Sequence, residues 1–94
     1  TYPTRLYAAM SFLHLLPRQD MLDAIDRQIR EVENSLSAMK AGEAAKAAVT
    51  TLPAHIRLVF ENSYELHDLQ LRFLRRLRQL AEKEGITPPP DDAW

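Results

Sequence analysis

The side chains with the most chemical potential lie in "NSYELHDLQLRFLRRLRQ", where Ser63, Tyr64, His67 and Gln70 recur at helical spacing and Arg72, Arg75, Arg76 and Arg78 follow. Two kinds of chemistry are open to such a stretch. The polar residues could orient a mostly apolar ligand between helices, as a few placed polar groups do in apolar pockets. The arginines could grip phosphates. A helical wheel argues against the second use. Arg72 and Arg75 share one strip with Arg57, Glu61, Glu65, Asp68 and Gln79, while Arg76 and Arg78 flank the apolar arc on opposite sides. Three acids lie on that strip, and Asp68–Arg72 is an i,i+4 pair. The arginines therefore solvate a packing helix and do not converge on a phosphate track. The candidate ligand pocket is Tyr64, His67 and Gln70, with a small planar aromatic compound as the expected effector class, because the site offers ring faces and few charges. The plainer reading is that these polar residues fix register in a helix contact.

Other chemistry finds little purchase. His14, His55 and His67 include no i,i+4 pair, and no Glu-x-x-His motif of di-iron bundles occurs. There is no glycine-rich phosphate loop and no nucleophile–base pairing. No catalytic residue, metal or cofactor is expected, and the chain is not expected to be an enzyme. The absence of cysteine excludes a disulfide framework and thiolate zinc sites, and fits a reducing cytoplasm. Twelve Lys+Arg against thirteen Asp+Glu give a net charge of −1, whereas a module that holds nucleic acid by phosphate neutralisation carries a positive excess. No apolar run approaches the roughly 20 residues of a membrane span, so no membrane partner is expected. Ninety-four residues make one small domain, of a size that often relies on a partner for stability.

The elements that must position these residues are all helical. Only Gly42, Gly85 and the prolines at 3, 17, 53 and 88–90 punctuate a chain otherwise rich in Leu, Ala, Glu, Arg, Lys and Gln. A first helix is expected from about 4 to 16, ended by Pro17. A second runs from about 18 to 42, with the alanine-rich "GEAAKAAV" able to carry it to 48. A third runs from about 53 to 84, closed by Gly85, and 85–94 form an extended, proline-rich tail ending in Trp94.

In the second helix Leu22, Ile25, Ile29, Val32, Leu36 and Met39 alternate spacings of three and four, the seam of a coiled coil that needs one long partner helix. The third helix carries two seams. One holds Ile56, Val59, Ser63, Leu66, Gln70, Phe73, Leu77 and Leu80; the other holds Phe60, Tyr64, His67, Leu71 and Leu74. The expectation is that the first meets the second helix and the other meets a second copy of the chain. The short first helix adds further apolar surface. The expected fold is all-α: a short apolar helix followed by a long antiparallel helical hairpin, dimeric through Leu6, Tyr7, Met10, Leu13, Phe60, Tyr64, Leu71 and Leu74.

Small all-helical enzymes that rearrange chorismate share the size and an "L-x-x-I-D" opening like "MLDAIDRQI", but such a site needs several inward-facing basic residues, and here they point outward. A closer likeness is carried by "LYAAMSFLHLLPRQDMLDAIDRQIREVENSL" and "HIRLVFENSYELHDLQLRFLRRL". Together they resemble the C-terminal helical domain of PadR-family transcriptional regulators, of the virulence-activator-alpha type. In that family a short apolar helix ends in "LP", a long helix follows, and the closing helix carries a pattern with which Asp68, Gln70, Leu71, Phe73 and Leu74 line up. Phe73 stands where tryptophan is usual, and Gln70 where an acid is usual. The likeness spans about Leu6 to Leu80.

The resemblance implies a bacterial, cytoplasmic homodimerisation domain that senses an effector and spaces two winged-helix DNA readers lying upstream, outside this chain. DNA would then be met only through those readers. The alternative is a stand-alone helical protein–protein interaction module with no DNA-binding half.

Overall fold

The computed structural model describes residues 6–8, 10–83 and 85. Two long helices, α1 (Arg18–Val49) and α2 (Ala54–Lys83), pack antiparallel against each other. An N-terminal segment lies against them, helical at 6–8 and 10 and ending in a 3₁₀ turn at Leu13–Leu15. The expected all-helical hairpin with a short preceding helix is therefore what the chain forms.

Local chemistry explains the ends of each element. The expected continuous first helix is broken. The Ser11 hydroxyl donates to the Tyr7 carbonyl at 2.8 Å, and the chain then tightens into i→i+3 bonds, Leu15 N–H to Phe12 and Leu16 N–H to Leu13. Leu16 is extended (φ −100°, ψ 148°), as the residue before a proline must be. The Pro17 carbonyl then accepts the Met21 N–H and opens α1, with Asp20 in the first turn at the positive end of the helix dipole.

No stop occurs at Gly42. It has ordinary helical geometry, no atom lies within 4 Å of where its Cβ would be, and the alanines around it carry the helix to Val49. Thr50 is extended, and the Pro53 carbonyl accepts the N–H groups of Ile56 and Arg57 to start α2. At the far end Gly85, with φ 76°, donates its N–H to the Leu80 carbonyl and ends the helix. The Arg18 guanidinium caps the same end by donating to the Ala81 and Glu82 carbonyls, fastening the start of α1 to the end of α2.

The core has two joined parts. Leu13, Met21, Leu22, Ile25 and Ala81 pack at the open end of the hairpin, and Leu6, Val32, Leu71 and Leu74 pack at its middle, with Met10 and Ile29 touching both. The α1 seam supplies its side of the core as its spacing requires. Both expected α2 seams, however, are split, with Gln70 and Leu77 of the first also covered within the chain. Leu71 and Leu74 face α1, while Val59, Leu66 and Leu80 remain exposed. The N-terminal segment chooses this rotation. Leu6 wedges between Val32, Leu71 and Leu74, and the Tyr7 ring stands edge-on to Phe73 with centroids 5.1 Å apart.

Candidate association surface

The residues expected to line a ligand pocket do not converge. The Tyr64 hydroxyl donates to Glu43 Oε1 at 2.5 Å, and its ring lies 6.0 Å from the Lys40 ammonium. Glu43 pushes the phenol up to about 12 by accepting its proton in that bond. The His67 ring is engaged at both nitrogens. Nδ1–H donates to the Ser63 carbonyl at 2.7 Å, and Nε2 accepts the Ser35 hydroxyl at 3.0 Å. Gln70 is buried, and its Oε1 has no hydrogen-bond partner among the described residues. Tyr64 lines an open depression of about 370 Å³ with Leu36, Lys40, Glu65 and Asp68, from which His67 and Gln70 are absent. His67 thus acts as a clip between α1 and α2.

Three of the α2 arginines meet acids, and Arg72 does so while still well exposed. Arg72 pairs with Asp68, Arg75 reaches across to Glu33 at 3.4 Å, and Arg78 holds Asp26 through two nitrogens while also meeting Glu82. This two-pronged contact keeps the Asp26 carboxyl below the usual carboxylate range. Among the described residues no group of three metal-ligating side chains gathers, and no helix is long and apolar enough to cross a membrane.

Of the residues expected at a dimer interface, Leu6, Leu13, Leu71 and Leu74 are consumed inside the chain, Leu74 being 0% exposed. Met10 is half-buried against both core clusters, and Phe60 and Tyr64 are half-buried beside Lys46 and Lys40 of α1. Tyr7 keeps an exposed edge. Phe12, Leu15 and Leu16 before α1 and Val49 at its end are also exposed, but the uncovered side chains that fall in one row form a different stripe on α2. Val59, Leu66, Leu69 and Leu80 are between 44% and 59% exposed, and Phe73 is half-buried beside them.

With Asn62 and Arg76 these residues form a strict three–four alternation: 59, 62, 66, 69, 73, 76, 80. That is a coiled-coil seam three heptads long, about 30 Å at 1.5 Å per residue, facing out of the hairpin. Its lower half is an open depression of about 520 Å³ lined by Leu69, Arg72, Phe73, Arg76, Leu77 and Leu80. Leu69 and Leu58 had no place in either expected seam, and polar residues at 62 and 76 disguise the repeat. Exposed apolar rows of this length commonly mark interaction sites in proteins.

No family model matches this chain, and neither a curated protein nor a solved structure does.

Proposed function

We propose that this chain is a helical dimerisation domain, the C-terminal part of a bacterial PadR-like transcriptional regulator, which pairs two copies and so sets the separation of two winged-helix readers attached upstream. The observation that carries the pairing is the open seam Val59, Leu66, Leu69, Phe73 and Leu80 on the outer side of α2. The regulator assignment adds the sequence likeness over Leu6 to Leu80, together with a net charge that suits a spacer better than a DNA grip. The mechanism would be positional: a stiff hairpin holds the heads at a fixed distance, and a shift in packing between copies changes that distance.

Sedimentation equilibrium at micromolar concentration tests the pairing, with a dimer expected for the wild type and a helical monomer for Leu69→Glu. A well-folded monomeric wild type overturns the proposal. The regulator half is tested separately by the parent reading frame. A winged-helix pattern of about 80–100 residues is expected upstream, and its absence would leave a stand-alone interaction module. The isolated domain should also show no sequence-selective shift of operator DNA in a gel.

A further inference from the structure

Resting on the association reading above, we infer that two copies pair through α2 in antiparallel register about a twofold axis between residues 67 and 68, with Glu65 of each copy set against Arg72 of the other. The occupant of the open seam is thus a second copy of the same helix. The charges on and beside the seam select this arrangement from the others that the same leucines would accept.

Leu58, Glu65, Arg72 and Gln79 recur every seven residues along the solvent side of the seam. The opposite flank is already used within the chain, since Gln70 is buried and Leu77 packs on the core. In an antiparallel pair the flanking contacts join like flanks. When Leu66 is layered on Leu69 of the second copy, Glu65 comes opposite Arg72 twice over, once on each side of the axis. Leu58 then comes opposite Gln79.

A slip of one heptad either way loses this match. One slip sets Arg72 against its own symmetry mate, and the other does the same with Glu65. A parallel in-register pair stacks Arg76 on Arg76 and Asn62 on Asn62 inside the seam. In the inferred register Asn62 instead meets Phe73, and Arg76 meets Val59 near the end, where its head reaches water. Like charges are thereby built against each wrong pairing, which is how coiled coils acquire one register.

Two measurements test this. The chain contains no cysteine, so Leu58→Cys and Gln79→Cys each provide a single thiol at an exposed position. Mixed together, they are expected to cross-link to each other with a short bis-thiol reagent. Neither should link to itself, because residue 58 of one copy lies about 28 Å along the axis from residue 58 of the other. Glu65→Arg and Arg72→Glu should each weaken dimerisation about tenfold, since two surface pairs are reversed at once, and the double variant should restore it. A dimer that self-links at either thiol, that gives no mixed link, or whose charge swap restores nothing overturns the antiparallel register and leaves dimerisation standing. A monomeric wild type removes both.

Discussion

Asp26 and Arg78 form the most strongly coupled ion pair between the two helices. The guanidinium offers two nitrogens to the carboxylate, which is why the Asp26 pKa is depressed. The ordinary aspartate value is about 3.9, so the pair's contribution is complete above that pH and is lost as pH falls through the lower folded value. Both side chains are about one-third exposed, which keeps the contribution modest. Asp26→Asn is expected to cost about 0.5–1 kcal/mol at pH 7, with the difference from wild type in urea melts shrinking as pH falls below the ordinary aspartate value. Tyr64 has the opposite sign. Its folded pKa is raised to about 12, so the Glu43 bond stabilises the fold below pH 10 and is lost as pH rises through 12. Glu43→Ala should return the Tyr64 titration, read as the ultraviolet difference from Tyr64→Phe, toward pH 10. The polar residues of the expected pocket were visible in the sequence, but their partners were not. Ser35 and Glu43 lie on the other helix, and nothing in the spacing of α2 says which α1 side chains stand opposite.

At the scale of elements, the α1 seam was legible because a narrow stripe permits one rotation only. The α2 arc is too broad for that. Two adjacent rows, led by Leu74 and by Leu66, both satisfy helical periodicity, and the choice between them is made by Leu6 and Tyr7 of the N-terminal segment, remote in sequence. The consequences of the two rows differ. Leu74→Ala removes a fully buried side chain and should destabilise the fold by about 3 kcal/mol in a denaturant melt. Leu69→Ala, at 48% exposure, should cost the monomer under about 1 kcal/mol while weakening self-association. Gly42 marks another limit of sequence reading, since a lone glycine ends a helix only if the chain needs a left-handed turn there. It does not need one here, and open space surrounds the missing Cβ. Gly42→Ala should therefore stabilise the domain by about 0.4–1 kcal/mol, measured as a higher melting midpoint. No change, or a loss, would show that α1 is not helical through this position.

As a whole the molecule is a rod, 56 × 25 × 17 Å, with a radius of gyration of 17.0 Å against roughly 12 Å for a compact globule of this length. Its core fills only the half that the N-terminal segment covers. Toward the turn, polar contacts such as Tyr64–Glu43 replace buried leucines. The helical class and the hairpin could be read from the helix-forming composition, the prolines and the α1 seam, whereas the uneven thickness could not, because it depends on where a separate segment docks. That docking has a consequence for any cargo fused before Leu6. Leu6 sits against Val32, Leu71 and Leu74, at mid-rod and beside the seam. In the antiparallel pair inferred above, the two Leu6 positions would lie only about 15 Å apart along the rod axis. The spacing of attached cargo in that pair would accordingly be independent of rod length, like two lamps hung near the centre of a beam. Lengthening the beam by one heptad in each helix, beyond Met39 and before Phe60, should leave the distance between probes placed at residue 6 unchanged in a dipolar spectroscopy measurement. A distance that grows with the insertion would mean that the copies meet end to end.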